Sequence, residues 1–251
     1  MTADTQKTPR VRGAQSIDRA MQLLRLMAMS HVNGVALPAL VEATGLDRTT
    51  AFRIASSLAA AGLASRDAQT GAYRLGIEAM ALGMTSMQRP PLLAPCVPVM
   101  KALARRSGEH VFLVVRSGDY SQCLHLEEGP RPIRSFAETV GSMRLLGLGI
   151  PSFALLAQLS DEIIAEHWAR HEAEYLAHRL SATKLQRWVR QAREQGYAQI
   201  SAQGLGGVGM RFAMGSCGDA ALGIVAPASR VPRARGPALA ALMRDEIQRL
   251  G

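Results

Sequence analysis

The sequence predicts an α+β protein: an N-terminal winged helix-turn-helix followed by a second domain with an antiparallel sheet. Three observations predict it. Apolar residues recur at helical spacing in three consecutive segments before residue 62. A turn-rich stretch between two short extended runs follows at once. Beyond residue 92, hairpin-linked strand patterns are mixed with helices, without the regular strand–helix alternation of a parallel sheet.

Residues 1–13 are polar, carry Lys7, Arg10 and Arg12, and read as a disordered arm. Ser16 can cap a helix running to about residue 30, with Ile17, Ala20, Met21, Leu24 and Met27 as its apolar stripe. His31-Val32-Asn33-Gly34 breaks it. A short helix over 38–43 follows, with Leu37, Leu40 and Val41 apolar. Thr44-Gly45-Leu46 is a tight turn. Asp47 can cap a third helix over 48–61, whose buried stripe is Ala51, Ile54, Ala55 and Leu58. Gly62 ends it. In LASRDAQTGAYRL, residues 63–75, two strands flank a turn holding Asp67, Thr70 and Gly71, a β-hairpin. Residues 76–88 read as a helix and Arg89-Pro90-Pro91 as a break. The expected divisions are therefore 14–76, a linker helix at 77–91, and 92–251.

The second part opens with a helix over 92–106. HVFLVVRSG and SQCLHLEEG are strands joined across Ser117-Gly118-Asp119. Helices are expected near 150–158, 161–178 and 182–195, strands at 197–203, 209–214 and 220–226, and a final helix over 237–250.

Composition narrows the classes. A chain of 251 residues with 48% apolar side chains can bury a real core, which Leu, Met, Val and Ala must fill because aromatics are only 4%. No run approaches the roughly 20 apolar residues of a membrane span, and the N-terminus lacks a signal-peptide pattern, so a cytoplasmic location is expected. Cys96, Cys123 and Cys217 form no C-x-x-C pair and read as free thiols. The formal charge of +9 suits a nucleic-acid partner. Almost all of it is Arg, with Lys only at 7, 101 and 184.

The third helix presents Arg48, Thr49, Thr50 and Arg53 away from its apolar stripe. Guanidinium groups and short hydroxyls on a first turn can reach base edges in the major groove. Ser16 and Arg19 on the first helix, and Arg66, Thr70 and Arg74 on the hairpin, extend the expected contact to the flanking backbone. A solvated polar face is the competing reading of each position alone; the ordered whole favours DNA.

These residues carry a resemblance. Gly45-Leu46, Arg48, Thr49, Thr50, Arg53, Gly62 and Tyr73-Arg74-Leu75-Gly76 stand in the order that marks the DNA-binding domain of the IclR family of bacterial transcriptional regulators, and the chain is similar to that family. LLAQLSDE (155–162), REQGYA (193–198) and LGIVAPASRVPRAR (222–235) extend it over the second part. The resemblance implies a GAF-like effector-binding domain, double-stranded operator DNA and a small-molecule acid as partners, and a homodimer or dimer of dimers. It implies effector contacts at Cys123, Met143, Leu148, Gly149, Ile150, Met210, Gly223 and Val225. One stretch departs from the family pattern. GLGIPSFALLA (147–157) has no Lys and no hydroxyl before Ser152, and Gly223 and Val225 replace small pocket-lining residues. The implied pocket is less polar, which points to an apolar or aromatic acid whose carboxylate pairs with Arg144 or Arg211.

Other constellations in the sequence hold residue types capable of chemistry. In HWARHEAEYLAH, His167, His171, Glu174 and His178 share one helix face. Imidazoles four apart can share zinc, but the full set spans about 16 Å, so the face reads as solvated and no metal ligand is assigned. Cys123 and His125, two apart on a strand, should share a face but lack a third catalytic partner. GLGGVG (204–209) fits G-x-G-x-x-G, which would make a dinucleotide- or flavin-dependent enzyme. No helix pattern begins at Gly209, and about 20 residues on stands Ser229 with no carboxylate nearby. The stretch reads instead as a flexible loop entering a hairpin, its bare glycines leaving room at a pocket rim. A sensor module whose N-terminal helices bind protein is the remaining alternative. The expected protein is a ligand-responsive regulator with no catalytic residue and no cofactor.

Overall fold

The computed structural model describes residues 15–86, 93–133, 140–213 and 218–250. The expected arm at 1–13, the Arg89-Pro90-Pro91 break and Cys217 lie outside them. The chain divides into two compact units, Met1–Ser86 and Met87–Gly251.

In the first unit, α1 (Gln15–Met29), α2 (Leu37–Thr44) and α3 (Arg48–Ala60) precede a hairpin of β1 (Ala64–Arg66) and β2 (Tyr73–Leu75), then α4 (Ile77–Ser86). Gly45 closes α2 with a left-handed φ of 66° that a side chain would strain, and donates its N–H to Val41 O. Leu23, Met27, Leu40, Ala55, Leu58, Ala64 and Tyr73 make the core. The expected stripe of α1 is corrected in part: Met27 is buried and Ala20 and Leu24 pack against the core, but Leu23 joins them, while Ile17 and Met21 are 64% and 44% exposed. Apolar periodicity on a helix rich in Leu and Met fits two overlapping faces, and α2 and α3 select one. Ser16 stands inside α1 and does not cap it. The hairpin is anchored by an added rung, since Val35 and Tyr73 exchange both backbone hydrogen bonds. A Cβ on Gly76 would stand 2.0 Å from Gly62 O, so only glycine lets the end of the hairpin cross the end of α3.

The second unit is a six-stranded antiparallel sheet with helices on both faces. Its strands are β3 (His110–Ser117), β4 (Tyr120–Glu127), β5 (Met143–Leu145), β6 (Ala198–Ala202), β7 (Leu205–Ala213) and β8 (Asp219–Pro227), in the order β5-β4-β3-β8-β7-β6. One face carries α5 (Leu93–Ser107) and α9 (Gly236–Ile247) over Val111, Leu113, Val208, Met210, Leu222 and Ile224. The other carries α6 (Ile150–Leu156), α7 (Asp161–Ala177) and α8 (Ala182–Gln195) over Phe112, Val114, Ala198, Ile200 and Val225. The alternation along β3 and β8 follows from the period-two direction of strand side chains.

Two expectations are overturned in this sheet. GLGGVG is not a flexible loop. The turn is Gln203-Gly204, and Leu205–Gly209 already pair along β6 and β8. Nor do the glycines leave a ligand space. A Cβ on Gly209 would stand 2.5 Å from Ile150 O, and one on Gly223 would stand 2.7 Å from the Pro151 ring. The bare strip lets the α6 backbone lie directly on the sheet. Cys123 and His125 also part company. A bulge skips Leu124, pairing Cys123 with Val114 and His125 with Leu113, so the two face opposite sides. The short edge strand β5 had no sequence signal strong enough to separate it from loop.

Candidate functional site

Two sets of residues in separate units hold the candidate chemistry. In the first unit, Asp47 accepts the N–H of Thr50 at 2.8 Å and fixes the start of α3. That hydrogen bond, with the Thr50 side chain, holds its carboxyl below the usual range. Ala51, Ala55 and Leu58 pin the opposite face of α3. Arg48, Thr49 and Arg53 are thereby exposed, Thr50 is half-buried, and among the described residues Arg48 and Arg53 make no side-chain hydrogen bond or ion pair. Ser16, Arg19, Thr50 and Arg53 line one concavity between α1 and α3.

The hairpin turn is tied by Asp67 Oδ1, which accepts from the N–H groups of Gln69 and Thr70 and from the Thr70 hydroxyl. Arg66, an exposed residue, lies over the Tyr73 ring at 5.7 Å and donates from Nε to Gly71 O at 3.4 Å. Arg74 stands differently: it reaches Asn33 O at 3.4 Å and Asp67 Oδ2 at 3.7 Å. It braces the hairpin against the loop after α1, a role the sequence did not show.

In the second unit, a cavity of about 90 Å³ opens beside the start of α6. That is room for one small ring or a few waters, and far too little for a dinucleotide. Of the expected effector residues, Leu148, Gly149, Ile150 and Val225 line it; Cys123, Met143, Met210 and Gly223 do not. Cys123 is 1% exposed in the core. Met210 points to the α5–α9 face, because it pairs with Leu222 on that side. Gly223 is covered by Pro151, and Met143 sits on the edge strand. Arg144 lines the cavity, whereas Arg211 is engaged at 2.8 Å by Asp219. The remaining wall is Leu180, Trp188, Ile200, Ala202 and Leu205, with His178, Arg179, Lys184 and Gln203 around it. Lys184 Nζ lies 4.7 Å over the Trp188 ring. These residues come from the α7–α8 connection, the first turns of α8 and the β6–β7 hairpin. Only the amphipathic face of α8 hinted at their role.

The histidines of α7 overturn the expectation of a solvated face. His167 is fully buried, and the helix is kinked at His171, whose φ and ψ are −126° and 21°. His167 Nε2 stands 3.0 Å from Asp119 O and its Nδ1 3.0 Å from Tyr175 Oη, while Tyr175 donates to Leu146 O at 2.7 Å. His171 Nε2 reaches Asp119 Oδ2 at 2.9 Å. Arg170 grips both carboxylate oxygens, at 3.1 and 2.9 Å. Partial burial pushes the Asp119 carboxyl up, but the hydrogen bonds from Arg170 and His171 and the nearby cations outweigh it and hold it at about 2. Glu174 is half-buried and His178 exposed, so the four expected positions do not share one environment. Cys96 and Cys123 are buried and form no disulfide among the described residues, and burial pushes the Cys96 thiol up to about 11, which leaves it unreactive.

The fold defines a class: a winged helix-turn-helix unit with a second unit of antiparallel sheet and helices. Comparison with known proteins narrows it. Residues 16–68 match the IclR helix-turn-helix domain. The chain is 28% identical over 194 residues to the transcriptional repressor IclR of Escherichia coli, covering 73% of this chain and 68% of that protein. Across three curated relatives it matches, the aligned part spans 58%, 68% and 44% of their length. Its fold is similar to that of an IclR family transcriptional regulator from Brucella abortus, with a TM-score of 0.77 at 19% identity, covering 99% and 95% of the two chains. It is also similar to an IclR homologue from Microbacterium hydrocarbonoxydans complexed with 4-hydroxybenzoate, with a TM-score of 0.66 at 17% identity, covering 94% and 97%. The helix-turn-helix at residues 16–68 is of the IclR type, and the chain is similar to transcriptional regulators of the IclR family.

Proposed function

We propose that this protein is a ligand-responsive transcriptional regulator. Its first unit binds operator DNA, and its second senses a small organic acid of apolar or aromatic character. The observation that carries the reading is the matched helix-turn-helix, on whose exposed face Arg48 and Arg53 are unpaired among the described residues. An arginine left without an acidic partner keeps its planar fork of donors for guanine or phosphate. Arg66 and Thr70 on the hairpin supply flanking backbone contacts, and Ser16 and Arg19 a further phosphate contact.

The cavity supports the effector half. Its Trp188, Ile150, Leu205 and Val225 wall suits a small apolar body, and Arg144, Arg179 and Lys184 suit a carboxylate. That the Microbacterium protein was crystallised with 4-hydroxybenzoate supports the same ligand class. Effector acts by its differential affinity for two arrangements of the DNA-binding units, so no catalytic residue is needed. A two-fold operator asks for a two-fold protein, and α4 exposes Ile77, Met80, Leu82 and Met84 for such self-association. No helix of the described residues is long and apolar enough to cross a membrane.

The test is binding of the full chain to a labelled fragment from upstream of its own gene, read by fluorescence anisotropy with and without hydroxybenzoates. Saturable, competitor-resistant binding that an acid weakens or strengthens supports the reading. Binding no tighter than to random DNA of equal length refutes it.

A further inference from the structure

The Asp119–His167–His171 cluster is not used by either proposed activity, and it shares no residue with the effector cavity. One donor atom from each of the three residues lies within 4.8 Å of the others. The hydrogen bonds around His167 have a direction that geometry settles. Tyr175 has one hydroxyl hydrogen, and its 2.7 Å contact with Leu146 O consumes it, because a carbonyl oxygen can only accept. The Tyr175 oxygen must therefore accept from His167, so the ring proton sits on Nδ1. A neutral imidazole then turns the bare lone pair of Nε2 toward Asp119 O at 3.0 Å, lone pair against lone pair. The Asp119 oxygen already accepts the Leu146 N–H on its other side. A cation between Nε2 and Asp119 resolves the conflict. A second proton on a fully buried ring would carry the cost of burying an imidazolium.

We propose that Asp119, His167 and His171 bind a divalent transition-metal ion of the zinc type. The donor set of two imidazoles and one carboxylate is one that zinc accepts, with Zn–N near 2.0–2.1 Å. Tetrahedral donors around such an ion stand about 3.4 Å apart, so the widest pair must close by at most about 1.4 Å. His171 supplies that movement, since it is partly exposed and sits where α7 is kinked. The Nδ1–H of His167 is held by Tyr175, the outer hydrogen bond that metal-binding histidines characteristically make. Arg170 orients the carboxylate through its outer lone pairs, and Glu166 stands 3.8 Å from that guanidinium. The Asp119 carbonyl or a water molecule completes the shell. The ion staples the β3–β4 turn to α7.

The experiment uses the full, tag-free protein stripped with chelator and titrated with Zn²⁺ in a calorimeter, with Co²⁺ as a spectroscopic probe. The expected result is one Zn²⁺ per chain, a rise in melting temperature, and the intense visible bands of four-coordinate Co²⁺. Asp119→Asn and His171→Gln each weaken binding at least tenfold and abolish those bands, and their unliganded far-ultraviolet dichroism matches the wild type. Tyr175→Phe weakens it about 10–100-fold, as loss of an outer partner does. His178→Gln, an exposed histidine just past the end of α7, leaves it unchanged. Failure of the chain to take up Zn²⁺, or uptake that survives both Asp119→Asn and His171→Gln, overturns the proposal. So does a nitrogen-15 spectrum of the metal-treated protein in which His167 carries protons on both ring nitrogens.

Discussion

Replacing Gly209 by Ala tests the claim that the glycine strip exists for α6. A methyl there would stand 2.5 Å from Ile150 O and 3.0 Å from Pro151 Cα. Both are backbone atoms, so no rotamer change relieves the contact; α6 must lift or β7 must bend. Overpacking a filled core costs roughly 1–3 kcal/mol, and a rigid partner places this substitution near the upper value, about 3 kcal/mol. A domain of this size loses roughly 2–4 °C of melting temperature per kcal/mol, so the second unit should melt about 6–12 °C lower. Gly206→Ala is the matched control. It lies on the same strand, and its nearest new contact is 3.2 Å from Ala228 Cα. It should cost less than half as much. Calorimetry of both variants decides the matter. A Gly209→Ala protein melting within 2 °C of wild type, or no lower than Gly206→Ala, would refute the reasoning. Because Ile150 also lines the cavity, the same variant should bind effector more weakly.

Three further outcomes are expected. Arg53→Ala should lose about 1–3 kcal/mol of specific operator affinity, read by anisotropy titration, while its melting temperature, read by calorimetry, stays unchanged. Arg179→Ala or Lys184→Ala should reduce affinity for an aromatic acid about tenfold, the effect of one exposed charge-assisted contact, as seen by calorimetry. The Asp47 carboxyl is held low in the folded protein by the Thr50 N–H, so its contribution to the first unit is complete above the ordinary aspartate range. It should fade as pH falls through the lowered folded value, and Asp47→Ala should remove that part of the acid-side loss in pH-dependent melts.

The N-terminal elements were legible because each has a local cause. Gly45 and Gly62 punctuate helices, Asp47 caps one, and Asp67 with Thr70 closes a turn. The α1 stripe was misplaced in part because Ile17 and Met21 fit the periodicity of Ala20, Leu24 and Met27 as well as Leu23 does, and only partners break the tie. Half of the effector residues reached the cavity. Leu148, Gly149 and Ile150 are consecutive and move together, and Val225 lies on their side of β8. Met210 failed because strand direction depends on register, which periodicity alone does not fix. His125 failed because a bulge reverses that direction in a single step. Burial of His167 depends on Asp119 and Tyr175, which meet it through the β3–β4 turn and the kink of α7. Neither leaves a mark at the spacing of the histidines themselves.

The extra rung between Val35 and Tyr73 changes how the first unit comes apart. Two three-residue strands are too short to hold together alone in water. Here they are joined to the loop after α1 by that rung and by Arg74, and Tyr73 is locked into the helical core. The hairpin is therefore part of the same cooperative folding unit as the helices. Amide protons at Val35 and Tyr73 should exchange only when the whole unit opens, at the rate of those in the middle of α3.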